Sequence, residues 1–521
     1  MSRLHIHDIE SLRASSAPLP LTVAPATSSE HFKSIHTRQR PVACRLDHHF
    51  SAESRDFNGA DFKKGASPIG PRKIIPLGTG RPTADYYPWE SFTFHGVSPA
   101  SLASSTANDS GHSVYTVTKR DATYNLSLGM NYGHAAGSPH LLRFITEHIE
   151  LVHNPPYQDW RTFLSCGATV ALEVALRIFC NRGDWILTEQ YTYSGTLETA
   201  TLTCARVYGV EMDADGLRSD VLERTLASWD TSKGRKPRVL YTIPTGQNPT
   251  GYSQSLERRA AIYAIAVKHD LIIIEDDPYY FLRLGPYNEA STDAEEPTKI
   301  SPDAFYSTGD PSYLSLDTSG RVVRLDSTSK ILAPGLRAGW VTASSQIIDK
   351  FLAYQEVSTI AVSGSSQLML WSLLDQGWGH TGFSSWLLHL SGEYRQRRNI
   401  LLRACQQHLP RDIAEWVPPR YGMFLWIKVN WRRHPVIGKF ETKATPEEVD
   451  SRLQGLEAQI VSDALSRGVL ITKGSLFSWN KRPNGELHFR MTFAAAEKAD
   501  LEEGVRLLGE TLRGVFQTCL D

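Results

Sequence analysis

Asp326-Ser327-Thr328-Ser329-Lys330, followed by Gly335-Leu336-Arg337-Ala338-Gly339-Trp340, decides how this chain is read. The pentapeptide stands directly after the apolar run Val322–Leu325, so the lysine falls just past the end of a strand. A lysine placed there, and held partly neutral by its surroundings, can bind an aldehyde cofactor covalently. The hydroxyls of Ser327 and Ser329 and the guanidinium of Arg337 could converge on a phosphate. As an isolated string, Ser-x-Ser-Lys is equally that of a solvated loop lysine, so its neighbours decide.

Upstream, Pro244-Thr245-Gly246-Gln247-Asn248-Pro249-Thr250-Gly251 lies between the strand-like Val239–Ile243 and a helix whose face is marked by Leu256, Ala260, Tyr263, Ala264 and Val267. Proline and glycine punctuation makes it a tight loop, in which Asn248 can make a directed hydrogen bond to a ligand. Glu275-Asp276-Asp277-Pro278-Tyr279-Tyr280 closes the run Leu271–Ile274. Carboxylates at the carboxyl end of a buried parallel strand stand where ligands bind in open α/β sheets; singly, each also suits a helix cap or a turn. Arg161–Ser165, Trp185–Thr188 and Gly339–Thr342 read as further strands, and Ala171, Val174, Ala175, Ile178 and Phe179 recur at helical spacing. The expected fold class is α/β, a mostly parallel sheet flanked by helices, with a smaller α+β domain.

The expected division is a disordered extension over 1–45, an arm and part of the small domain over 46–120, a large domain over 121–385 and a small one over 386–521. Within the last, Gly392–Gln407 and Pro446–Arg467 read as helices and Met423–Val429 as a strand, whereas Leu284–Ser312 reads as a surface excursion. A length of 521 residues suffices for a large core, and a net charge of −1 gives no bulk attraction to nucleic acid or an anionic membrane. The cysteines at 44, 166, 180, 204, 405 and 519 form no Cys-x-x-Cys pair, so neither a metal site nor a disulfide framework is expected. No stretch has the length and apolarity of a membrane span, and the N-terminus lacks a secretory layout; the expected compartment is the cytoplasm.

These motifs together resemble the class I, fold type I aminotransferases that depend on pyridoxal phosphate. Within them the chain is most similar to the fungal aromatic amino acid aminotransferases and the kynurenine/α-aminoadipate aminotransferases. The likeness runs from about Leu46 to the last helix and includes Asp47-His48-His49-Phe50-Ser51, Ile75-Pro76-Leu77-Gly78-Thr79-Gly80-Arg81-Pro82 and Gly320-Arg321-Val322-Val323-Arg324.

The resemblance implies that Lys330 holds pyridoxal phosphate and then moves the proton between the substrate Cα and the cofactor carbon. It implies that Asp277 pairs with the pyridine nitrogen, that Asn248 and Tyr280 bond the ring oxygen, and that Tyr193 stacks on the ring. Ala168 and Thr169, following Gly167 at a helix start, would cradle the phosphate with Ser327, Ser329 and Arg337. Tyr132 would reach the phosphate of a neighbouring subunit, making a homodimer with shared sites. Arg490, in His488-Phe489-Arg490-Met491-Thr492-Phe493, would grip the substrate carboxylate, and Gly80 would line the substrate entrance. Ala168 departs from the hydroxyl or amide side chain that relatives often carry, so only its backbone N–H can serve the phosphate. His134-Ala135-Ala136 is a second departure from the family outline.

The implied activity is transfer of an amino group from tyrosine, phenylalanine, tryptophan or kynurenine to a 2-oxo acid such as 2-oxoglutarate. The same lysine and fold serve carbon–sulfur lyases and aminocyclopropane-carboxylate synthases, and motifs around the cofactor barely separate them. A non-catalytic regulatory protein on this scaffold is a third reading, but residues 1–75 show no helical periodicity to supply a DNA-binding domain.

Overall fold

A computed structural model describes residues 4–61, 75, 77–98, 111–289, 300–440 and 444–517. The chain forms two compact units. The first comprises Met1–Asn181, Ile272–Pro278 and Ile300–Trp386; the second comprises Arg182–Leu271, Tyr279–Lys299 and Leu387–Asp521. The chain therefore passes from one unit to the other several times. Crossover connections make this possible, because strands adjacent in space need not be adjacent in sequence.

In the first unit the strand order is Trp160–Ser165, Gly339–Ser344, Val322–Ser327, Ile272–Asp276. Gly339–Ser344 runs antiparallel to both of its neighbours, while Val322–Ser327 and Ile272–Asp276 are parallel. Ile272, Ile273 and Ile274 are fully buried, as a continuous β-branched run demands of a strand covered on both faces. The helix Ala168–Phe179 comes after Trp160–Ser165 and buries Ala171, Leu172, Ala175, Leu176, Ile178 and Phe179. A hairpin of Ser91–Val97 and His112–Thr118, which was not expected from the sequence, also belongs to this unit.

The second unit contains Val239–Thr242, Trp185–Glu189 and Arg206–Val210 as parallel neighbours. It also contains an antiparallel sheet in the order Ala414–Trp416, Phe424–Val429, Leu487–Thr492, Thr472–Lys473. Helices Pro446–Ser466 and Asp500–Gln517 supply Leu456, Ile460, Leu508 and Leu512 to a core shared with Leu425, Ile427 and Phe489 of that sheet. This matches the expected α+β character of the C-terminal region.

Two expectations need correction. Residues 4–45 are not a featureless tail: Ile6–Ala14 is a helix whose Ile6 and Ile9 are buried. Arg13 at its end donates through Nε to both oxygens of Glu147, at 2.9 and 3.0 Å, and pairs with Asp375 at 2.8 Å. Further along, Ser34 and Thr37 donate to the buried Glu150, and the Lys33 ammonium lies 4.6 Å from the Trp160 ring centroid. The Ser/Pro/Ala-rich composition of 11–29 disguised this, because the partners that hold the segment, Glu147, Glu150, Trp160 and Asp375, are distant in sequence. The surface excursion expected over Leu284–Ser312 is also only partly so. Leu284, Phe305 and Tyr306 are buried, and residues 290–299 lie outside the described residues.

Burial pushes the Glu147 carboxyl up, but hydrogen bonds from His380 and Arg13 outweigh it and leave the group below its ordinary value. A depressed carboxylate stabilises the fold above its unfolded value and loses that contribution as pH falls through the folded one. Arg13→Met is therefore expected to cost about 3 kcal/mol at pH 7. The change should appear as a lower urea midpoint and shrink as pH falls toward about 4. An unchanged midpoint at pH 7 would mean that the N-terminal helix adds nothing to stability.

Candidate active site

The site begins with how Val322–Ser327 is started. The fully buried Asp317 accepts hydrogen bonds from the backbone N–H groups of Ser319, Gly320, Arg321 and Val322, at 3.1, 2.8, 3.2 and 2.9 Å. Gly320 adopts φ +77, and a Cβ there would lie 2.4 Å from Ala43 Cβ, so this turn requires glycine. The strand that emerges pairs with Ile272–Asp276 so that Arg324 faces Glu275 and Leu325 faces Asp276.

Side chains two apart on a strand share a face, so Arg324 and Asp326 project beside Glu275 and Asp277. Arg324 is fully buried. Its Nη1 lies 3.1 Å from Glu275 Oε1 and 3.2 Å from Asp277 Oδ2, while Nε and Nη2 contact Asp326 at 3.1 and 3.0 Å. Glu275 also accepts the N–H groups of Tyr313 and Leu314 at 2.8 and 3.2 Å. Burial pushes the Asp326 carboxyl up from its ordinary value; Arg324 opposes that shift and Glu275 adds to it.

Beyond the strand, the turn is pinned by Thr328, which donates N–H and Oγ1–H to the Ala338 carbonyl at 3.1 and 2.8 Å. Lys330 is half-buried at the end of this turn. Ser327 donates to Ser329 Oγ at 3.0 Å, and Arg337 reaches Ser329 Oγ at 3.4 Å. Gly167, at φ +88, precedes Ala168–Phe179, and no side chain caps that helix. A Cβ on Gly167 would stand 2.8 Å from Arg337 Nη2. Two hydroxyls, a guanidinium and an uncapped helix N-terminus thus meet around one point, a donor set suited to a phosphate dianion. Ala168 is half-buried and offers only its backbone, whereas the Thr169 side chain is exposed. Tyr132 is 57% exposed, and Gly80 lies in an open loop with no described atom within 4 Å of its Cβ position.

The second unit carries the other named residues. Gly246, at φ +53, brings the Pro244–Gly251 loop so close to Gly422 that a Cβ would be 2.8 Å from its Cα. Arg259, fully buried on helix Leu256–Lys268, fastens the loop by donating to the carbonyls of Gln254 and Pro244 and to Thr245 Oγ1, at 3.0, 3.2 and 3.0 Å. Asn248 is thereby held, and its Oδ1 accepts from Arg490 Nη1 at 2.8 Å. The Arg490 guanidinium lies between the rings of Phe424 and Phe477, at 4.6 and 4.5 Å from their centroids. Tyr193 caps its helix with its ring across Gly195, where a Cβ would be 2.4 Å from Cε1. Tyr280 is buried, edge-on to Phe281, with the Arg283 guanidinium 5.4 Å from its ring centre.

The family profile described as aminotransferase class I and II matches residues 105–508. The chain belongs to that family. An aminotransferase named swnA from Arthroderma benhamiae is 44% identical over 489 residues, covering 94% of each chain. An aromatic amino acid aminotransferase from Schizosaccharomyces pombe is 36% identical over 479 residues, covering 91% of this chain and 98% of the relative. The crystal structure of the aminotransferase Aro8 from Candida albicans superposes with a TM-score of 0.82 at 36% identity, over 92% of this chain and all of that one. As a member of this family the chain is a pyridoxal-phosphate-dependent transaminase of fold type I, and the donor set of the first unit fits that cofactor's phosphate.

The structure thus brings Ser327, Ser329, Arg337 and the Gly167–Ala168 helix start together in the first unit, sets Asp277 against Arg324 at the end of Ile272–Asp276, and joins Asn248 to Arg490 in the second. It does not bring Gly80 against any described neighbour. Arg324, Arg259, Phe424 and Phe477 were not singled out from the sequence. Arg324 had a visible signal, a charge inside an apolar strand two residues before an aspartate.

Two substitutions probe this geometry. Gly167→Ala combines a left-handed backbone with a collision against Arg337, and is expected to weaken pyridoxal-phosphate binding by at least about tenfold. Equilibrium titration of the cofactor-free protein measures it. Arg490→Lys replaces a planar fork with a point charge, and should raise KM for carboxylate substrates at least about tenfold. Its cofactor affinity should stay unchanged; equal loss of both would show a folding defect.

Proposed function

We propose that this transaminase takes its amino group from an aromatic amino acid (tyrosine, phenylalanine, tryptophan or kynurenine) and delivers it to a 2-oxo acid such as 2-oxoglutarate. The observation that carries the proposal is the Arg490 guanidinium, hydrogen-bonded to Asn248 and packed against Phe424 and Phe477, a planar fork suited to a substrate carboxylate. The named activity of the Schizosaccharomyces pombe relative supports the same donors.

In this reading Lys330 holds the cofactor and, through Nζ, moves the proton between the substrate Cα and the cofactor carbon. Pyridoxal phosphate supplies, when bound, a sink for the electrons left at Cα. With the cofactor bound, Asp277 would pair with the ring nitrogen and favour its protonated form, Asn248 and Tyr280 would bond the ring oxygen, and Tyr193 would pack on the ring. Ser327, Ser329, Arg337, Thr169 and the Ala168 N–H hold the phosphate. The exposed Tyr132 reaches the phosphate of a second subunit, so the working form is a homodimer. Among the described residues no helix is long and apolar enough to cross a membrane, and the cytoplasm is the proposed compartment.

An absorption spectrum of the loaded protein tests the activity. The visible band is expected to disappear with tyrosine and return with 2-oxoglutarate. A band that tyrosine leaves unchanged would remove the aromatic donor. Release of a lyase product without need for an oxo acid would favour carbon–sulfur cleavage on the same fold.

A further inference from the structure

The buried cluster on the face of Val322–Ser327 gathers three carboxylates around one guanidinium. Arg324 is the cation that all three share, and its planar shape fixes how it can serve them. One edge, Nε and Nη2, lies against Asp326 at 3.1 and 3.0 Å; Nη1 is left to bridge Glu275 at 3.1 Å and Asp277 at 3.2 Å. Glu275 is itself held by the N–H groups of Tyr313 and Leu314. The guanidinium therefore cannot turn, and Asp277 Oδ2 is held from a fixed direction. All four side chains are at most 5% exposed, so water screens these charges little.

We propose that Arg324 is a positioning residue for Asp277. It holds Oδ2, keeps the carboxylate ionised beside two other acids, and so maintains the charge that protonates the cofactor's ring nitrogen. The inference rests on the reading of Asp277 as the partner of that nitrogen. Without the guanidinium, three carboxylates would stand within one buried patch, and like charges there drive proton uptake. A neutral Asp277 offers the ring no negative charge to hold its proton. Burial raises the Asp326 carboxyl above its ordinary value and the neighbouring Glu275 adds to that shift, the direction expected where acids share one buried patch.

The test loads the full chain with pyridoxal phosphate labelled with nitrogen-15 in its ring and reads the ring nitrogen resonance. The wild type should give the protonated signal and Asp277→Asn the neutral one. Arg324→Met should move the signal toward neutral by at least half that difference, and Arg324→Lys should lie nearer the wild type. The same Arg324→Met chain should lose about tenfold or more in kcat, with KM changed by less than about threefold. Should Arg324→Met not accumulate in folded form, the double variant Arg324→Met with Asp326→Leu removes one charge of each sign and should show the same movement. A wild-type resonance in these variants, with Asp277→Asn displaced, would overturn the role of Arg324 and leave it a structural cation only. A wild-type resonance in Asp277→Asn would instead overturn the reading of Asp277 beneath it.

Discussion

The parallel register of Val322–Ser327 on Ile272–Asp276 is the constraint on which the chemistry of the first unit depends. Pairing Arg324 with Glu275 puts Arg324 and Asp326 beside Glu275 and Asp277, because strand side chains alternate with a period of two. A slip of one residue would send Arg324 and Asp326 to the opposite face. It would also change where Ser327, Ser329 and Lys330 leave the strand. The four N–H groups gathered by Asp317 fix the first residue of the strand. The two hydrogen bonds from Thr328 to the Ala338 carbonyl fix the turn beyond its last residue. Register, entry and exit are thus each set by separate hydrogen bonds.

The second unit solves a similar problem with a loop. Asn248 lies in a segment without regular structure, yet Arg259 grips that segment at three points, and Gly246 and Gly422 let two backbones touch. The result is a side-chain amide held firmly enough to orient Arg490. Phe424 and Phe477 pack against the same guanidinium, their ring centroids 4.6 and 4.5 Å from it, and add cation–π attraction to that orientation.

Much of this was legible in the sequence where one residue type has one use. Lys330 after an apolar strand, the acidic end of Leu271–Ile274 and the glycine-punctuated Asn248 loop each announced themselves locally, and the strand ends fell within two residues of expectation. The features that stayed hidden depend on partners distant in sequence. Arg13 and Lys33 sit in a segment of low complexity, and only the buried Glu147, Asp375 and Trp160 show why that segment is ordered. Arg259 reads as an ordinary helix arginine until the loop that it fastens is in place. Phe424 and Phe477 read as core residues, and they are buried; Phe424 reaches Arg490 through sheet pairing, two residues from the Trp426 that faces it, and Phe477 from the short helix Gly474–Phe477. The hairpin of Ser91–Val97 and His112–Thr118 alternates regularly in burial, but its inward residues are mostly only half-buried, so it lacks the continuous apolar run that marked the other strands.

Stability alone does not account for the cluster around Arg324. Buried ion pairs can often be replaced by apolar groups of similar volume at no loss, because desolvating the charges offsets most of their attraction. Here the balance is worse than for a pair, with three acids around one base and side chains almost wholly out of water. Glu275 has a structural use, since it ties the N–H groups of Tyr313 and Leu314 to its strand, and Asp326 fixes one edge of the guanidinium. Asp277 stands apart: it lies one residue past the end of its strand, and its Oδ2 meets Arg324 there at 3.2 Å. A sheet built only to be stable would have little reason to place a carboxylate there. A sheet that must present one ionised carboxylate at a strand end needs a cation behind it, and needs that cation held by something else.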